Sequence, residues 1–229
     1  MPAAELVFLI DVDDTLLDND RFVADLTSRL DQAFGEVERT RYWEIYERLR
    51  EKLGYVDYLG TLQEFRLDNT NETELLQMSG FLLDYPFDEL VYPGALATLE
   101  HLSKMGTTVI LSDGDIVFQP RKIRRAGLWD VVGGRVLIYL HKDRMLTEVE
   151  RRYPARHYAM LDDKPQLLAS AKRQLGDHLT TVFVRQGHYA AQSEGAQISP
   201  APDASVRQIS DLLDFGPPDF GTVDIGRSK

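Results

Sequence analysis

Near its start the chain runs Leu6-Val7-Phe8-Leu9-Ile10 and then turns at once to acid, Asp11-Val12-Asp13-Asp14-Thr15-Leu16. A short unbroken apolar run has no polar face to offer water. It reads as a strand buried on both sides, the kind found in parallel sheets. Ligands of such sheets bind outside the carboxyl ends of the strands, where these acids fall. Asp11 and Asp13 are two residues apart, so in extended chain they share a side. Neighbouring carboxylates repel one another unless a cation compensates. The competing bland reading is an acidic turn in which Asp14 or Thr15 caps a helix.

Further runs repeat the pattern. Thr107–Leu111 ends at Ser112-Asp113-Gly114, and His157–Leu161 ends at Asp162-Asp163. Thr180–Val184 and Val136–Leu140 complete the set. Helical spacing lies between them. Leu96, Leu99, Leu102 and Met105 follow Pro93-Gly94 and stop at Gly106, and Leu167, Leu168, Ala171 and Leu175 stop at Gly176. Pro120 and Gly127 mark a helix start and stop. Alternating strands and helices predict an α/β fold, a Rossmann-like doubly wound parallel sheet.

Residues 18–91 differ. Phe22, Val23, Leu26, Leu30 and Phe34 form one helical stripe, and Tyr42, Ile45, Tyr46, Leu49 and Leu53 a second. Leu75, Leu76, Met78, Phe81 and Leu82 form a third, and no strand pattern is visible. An all-helical unit inserted after the first strand is expected. Charge divides in the same place: residues 18–91 carry 17 acids and 8 bases, residues 92–186 carry 10 acids and 15 bases. The expected organisation is a core of 1–17 and 92–186, a helical insertion of 18–91 and a partly irregular tail of 187–229. In that tail only Ile209, Leu212 and Leu213 suggest a short helix. The basic cluster Arg121, Lys122, Arg124 and Arg125 reads as one solvated helix face. Arg41, Tyr55, Tyr58 and Arg66 of the insertion are within the class that could contact substrate, and the favoured reading of each is structural or exposed.

A net charge of -11 disfavours nucleic acid as a partner. No run approaches the ~18 apolar residues of a membrane span. The start Met1-Pro2-Ala3-Ala4-Glu5 lacks the basic region of a secretory signal. Cysteine is absent, which excludes disulfides, thiolate metal sites and thiol nucleophiles. The five histidines show no metal-ligand spacing. A cytoplasmic location is expected.

Four strand-end features then converge: the Asp11–Leu16 segment, Ser112 with the N–H groups of Asp113 and Gly114, Lys142, and Asp162-Asp163. In this order they resemble the haloacid dehalogenase-like (HAD) hydrolase superfamily, most of whose members are phosphatases. The resemblance runs from about Val7 to Val184, and residues 18–91 resemble its helical cap. Lys142 stands in His141-Lys142-Asp143-Arg144, where many relatives have a proline soon after the lysine; Lys164 is the poorer candidate. The resemblance implies Asp11 as nucleophile and Asp13 as general acid and base. It implies Mg²⁺ held by Asp11, the Asp13 backbone carbonyl and Asp162, with Asp163 binding through water or orienting ligands. Ser112 and Lys142 would hold the phosphoryl group of a small phosphorylated metabolite. Relatives that cleave carbon–halogen bonds lack the second aspartate, so Asp13 argues for phosphate chemistry. A sugar phosphomutase, a phosphate-accepting receiver domain and a non-catalytic phospho-ligand-binding protein are the alternatives; the order of the acids and the helical insertion disfavour the receiver. Oligomeric state is not legible.

Overall fold

The computed structural model of the protein describes residues 3–221. The start Met1-Pro2 and the tail from 222 onward, both touched by the expectations above, lie outside the described residues. Among the described residues six strands form one all-parallel sheet: β1 (Ala4–Ile10), β2 (Thr107–Asp113), β3 (Val136–Tyr139), β4 (Ala155–Asp162), β5 (Leu179–Val184) and β6 (Ala204–Val206). Their order is β3-β2-β1-β4-β5-β6. The order reverses at β1, which places the topological switch, and hence the ligand crevice, at its carboxyl end. Register carries the acids to one rim: Ile10 pairs with Ile110 on one side and with Leu161 on the other. Asp11, Ser112 and Asp162 therefore arrive side by side.

Among the described residues nine α-helices accompany the sheet: α1 (Asn19–Leu53), α2 (Tyr58–Phe65), α3 (Glu72–Asp84), α4 (Ala95–Ser103), α5 (Phe118–Arg125), α6 (Leu128–Val131), α7 (Leu146–Arg152), α8 (Pro165–Leu175) and α9 (Gly187–Gln192). Alternate side chains of β1 enter different apolar clusters. Leu6, Phe8 and Ile10 join one, Val7 and Leu9 the other, as a strand buried on both faces requires.

The insertion is helical throughout, with α1, α2 and α3 supplying it. The first two stripes belong to α1, broken at Gly35 by a backbone of φ 79° that only glycine adopts readily. The chain leaves and re-enters the core through paired backbone: the Asp18 N–H donates to the Leu90 carbonyl at 2.9 Å, the Tyr92 N–H to the Leu16 carbonyl at 2.9 Å. Phe22 of α1 is fully buried and packs on Tyr58, Tyr85 and Phe87, and on Phe118 of α5 with ring centroids 5.8 Å apart. Insertion and core thus share one apolar cluster.

Two expectations require correction. The tail adds β6 to the sheet edge beyond β5 and carries α9. Ile209 and Leu212 are buried in a short 3-10 helix, and Phe220 lies edge-on to Phe8 at 4.9 Å. Three residues suffice for β6, too few to leave a periodic signal. Second, α5 does not present all its cations to water. Phe118, Gln119, Lys122 and Ile123 share its buried face, while Arg121 and Arg125 bond to Asp84 and neighbouring carbonyls of the insertion.

Phe220→Ala should lower unfolding stability by about 3–5 kcal/mol, the usual cost of emptying a buried phenylalanine site. Urea unfolding measures it; an unchanged midpoint would show that the tail is not part of the core.

Candidate active site

Asp11 begins where β1 ends. Its N–H still donates to the Leu161 carbonyl at 3.0 Å, so the backbone is held as sheet, and its side chain is 4% exposed. Lys142 follows β3 and is 1% exposed. Its N–H donates to Asp113 Oδ1 at 2.6 Å, and its ammonium donates to Asp11 Oδ1 and to the Leu111 carbonyl at 3.3 Å. Asp162 Oδ2 forms an ion pair with the same ammonium at 2.7 Å but without hydrogen-bond alignment. Lys142, not Lys164, is thus the lysine against Asp11. Burial opposes the charge of Lys142, but Asp11, Asp162 and Asp113 outweigh it and hold its pKa above the ordinary lysine value.

Lys164, half-buried, adds its charge to Asp11, Asp163 and Asp162, and the two ammonium groups still face an excess of acid. Asp11, Asp162 and Asp163 bring carboxylate oxygens within 4.8 Å of one another, all buried. Asp11 Oδ2 and both oxygens of Asp163 accept no hydrogen bond. Buried oxygens without partners are costly and rare. Burial, then the neighbouring Asp162, push the Asp163 carboxyl well above the usual range. Burial also raises Asp11, against the pull of Lys142. Orphaned hard oxygen donors around a small space suit a divalent cation. The donors present fit such an ion. The Asp13 carboxylate is not in this cluster.

The Asp13 side chain turns elsewhere. Gln119 Nε2 donates to Asp13 Oδ2 at 3.1 Å and to Ser112 Oγ at 2.9 Å, and the ammonium of Lys122 donates to Asp13 Oδ1. Ser112 Oγ donates to the Asp113 carbonyl at 3.2 Å. The Gly114 N–H donates to the Tyr139 carbonyl at 3.0 Å and so is engaged in the sheet edge rather than free for a phosphate, against the sequence expectation. Asp14 sits at φ 58°, with Oδ1 accepting the N–H groups of Asn19 and Asp20 at 3.0 and 3.2 Å. It thus satisfies the first N–H groups of α1, but it is buried and the N-cap itself is Asp18, so the motif is not a solvated acidic turn. Burial, with help from Asp20 and Asp13, raises its carboxyl to about 7.

A cavity of about 270 Å³ opens beside these groups. Asp13, Asp113, Gly114, Gln119 and Lys164 line it from the core; Asn19, Arg50, Tyr55 and Tyr58 line it from the insertion. Of the four insertion residues weighed as substrate contacts, Tyr55 and Tyr58 line the cavity, and Arg41 and Arg66 do not. Across the cavity Arg50 Nη2 donates to the Tyr189 hydroxyl at 2.7 Å, and Lys164 Nζ lies 4.6 Å from the Tyr189 ring centre. Gln119, Lys122 and Asn19 were missed. The available signal was the spacing of Phe118, Gln119, Lys122, Ile123 and Ala126 along one helix face.

The haloacid dehalogenase-like hydrolase family model matches residues 6–190. The chain belongs to that family. No curated protein matches it by sequence. Among solved structures, a haloacid dehalogenase-like hydrolase of Burkholderia xenovorans is 55% identical, with a TM-score of 0.87 over 95% of this chain and 99% of the other. The L-2-haloacid dehalogenase of Xanthobacter autotrophicus is 20% identical, with a TM-score of 0.58 over 91% and 96%. The magnesium-bound HAD-hydrolase YfnB of Bacillus subtilis is 16% identical, with a TM-score of 0.60 over 92% and 99%. The last two share the fold; their identity is too low to carry chemistry across. Among the described residues, no helix is long and apolar enough to cross a membrane.

The raised carboxyls of Asp11, Asp14 and Asp163 favour the fold when protonated, so they stabilise it at low pH and lose that contribution as pH rises through their folded values. The cation-free protein should therefore melt lower at about pH 8.5 than at about pH 5.5, and added Mg²⁺ should raise the melting temperature more at the higher pH. Asp163→Asn should raise the cation-free melting temperature at the higher pH and reduce the Mg²⁺ effect. Equal Mg²⁺ shifts in both proteins would remove Asp163 from the cation site.

Proposed function

We propose that the protein is a Mg²⁺-dependent phosphomonoester hydrolase that acts on a small phosphorylated metabolite through an aspartyl-phosphate on Asp11. The observation that carries this reading is the division of labour between two nearby acids. Asp11 is buried among carboxylates and Lys142, while Asp13 stands apart and lines the cavity. A nucleophile and a separate proton donor are what a phosphate ester with a poor leaving group needs. Displacement of halide needs no donor. Asp13 therefore favours phosphate over the carbon–halogen chemistry of the dehalogenase with the same fold.

A carboxylate oxygen of Asp11 attacks phosphorus, and the bond from phosphorus to the ester oxygen breaks. Asp13 gives its proton to the departing oxygen. The Asp13 carboxylate next takes a proton from water, whose oxygen attacks phosphorus and breaks the aspartyl–phosphate bond. Lys142 holds one oxygen of Asp11 and brings positive charge to the transferring group. Ser112 Oγ, oriented by Gln119, is the candidate donor to a phosphoryl oxygen. Asp11, Asp162 and Asp163, with the Asp13 backbone carbonyl, would hold Mg²⁺. When bound, the ion offsets the repulsion between the attacking carboxylate and the phosphate.

p-Nitrophenyl phosphate should be hydrolysed only with Mg²⁺ present, and Asp11→Asn should abolish turnover in protein that urea unfolding shows to be folded. Activity that survives Asp11→Asn would remove Asp11 as the nucleophile. A screen of phosphorylated sugars, nucleotides and small acids identifies the substrate; phosphoryl transfer between sugars with little free phosphate would mark a mutase.

A further inference from the structure

The sequence placed Lys122 on a solvated face, yet it is 1% exposed. A lysine is almost never buried so completely without a specific partner. Its ammonium donates to Asp13 Oδ1 and to Asn19 Oδ1, the latter at 2.6 Å. The rings of Phe22 and Phe87 flank it at 5.7 and 5.6 Å. One turn earlier on α5, Gln119 holds the other oxygen of Asp13 at 3.1 Å.

Each oxygen of Asp13 is thus held by a different residue of one rigid helix. Two-point attachment fixes the plane of a carboxylate, which a single contact leaves free to rotate. The Asp13 side chain is still 28% exposed, so the hold leaves part of it open. A buried ion pair is a poor device for stability alone, since apolar residues of the same volume often do as well or better. Asn19, the first residue of α1, shares the ammonium and ties the holder to the root of the helical insertion.

We infer that Lys122, with Gln119, is a positioning residue for proton transfer. It aims the Asp13 carboxyl at the leaving oxygen and faces the carboxylate left after the proton has gone. This inference rests on the phosphatase reading above. As Asp13 gives its proton, the new Asp11–phosphorus bond forms and the phosphorus–leaving-oxygen bond breaks. The need for that proton grows as the leaving group becomes more basic.

The test is a series of substituted phenyl phosphates, from p-nitrophenyl to unsubstituted phenyl, read as kcat/KM with Mg²⁺. This quantity reports the steps up to phosphoryl transfer to Asp11. Lys122→Met keeps the length and apolar stem of the side chain and removes the ammonium. The variant should lose less than about three-fold on p-nitrophenyl phosphate and more than about ten-fold on phenyl phosphate, within the range of general acid contributions. Urea unfolding reports whether the variant is folded. Equal losses across the series, or no loss, in a folded variant would overturn the inference while leaving the phosphatase reading intact. Wild-type protein that hydrolyses no member of the series would overturn both.

Discussion

The arrangement at the rim of the sheet depends on one buried cation. Lys142 reaches Asp11 and Asp162 and is anchored by its own N–H to Asp113 and by its ammonium to the Leu111 carbonyl. It gathers the ends of β1, β2 and β4 around a single charge. It does not balance them, because Asp11, Asp162 and Asp163 are three buried carboxyls, and the half-buried Lys164 is the one further lysine whose charge acts on all three. A protein interior tolerates such an excess only by protonating acids or by admitting another cation. The orphaned oxygens of Asp11 and Asp163 show where the unmet demand lies. Stability and chemistry are therefore set against each other at this site: the groups that would hold a divalent ion cost the fold its polar satisfaction without one.

The rest of the molecule keeps this cluster dry and directed. The neighbouring strands β2, β1 and β4 bring Ser112, Asp11 and Asp162 together because their registers align at Ile110, Ile10 and Leu161. Phe22 joins the insertion to α5 through continuous apolar packing, and the paired backbone at Asp18 and Tyr92 fixes both crossings. Residues of the insertion then line the cavity opposite Asp13 and Lys164. Close approach has a local cost in chain freedom. Gly187, at φ 69°, abuts Asp14 so tightly that a Cβ there would lie 2.4 Å from the Asp14 Cβ.

Much of this was legible in the residue pattern. Five strands announced themselves because burial on both faces demands unbroken apolar runs, and the insertion because its stripes follow the helical period. Asp11, Lys142, Asp162 and Asp163 lie together as their strand-end positions implied. Lys122 was not legible as a partner of Asp13, since a run of four cations in five residues looks solvated until the face shared by Phe118 and Ile123 is traced. Gly114 was misread because a turn sequence does not say whether its N–H is already taken by a neighbouring strand. β6 and Phe220 escaped because three residues and a lone aromatic carry no period; only tertiary packing on β5 and Phe8 reveals them.

The central claim is that Asp11 attacks phosphorus and that water later attacks phosphorus, not the Asp11 carboxyl carbon. Multiple turnovers of a phosphomonoester in heavy-oxygen water test it directly, with mass spectrometry of both the released phosphate and the peptide that contains Asp11. The account predicts label in the phosphate and none in Asp11. Label in the Asp11 carboxylate would contradict it, because that pattern belongs to an ester hydrolysed at carbon.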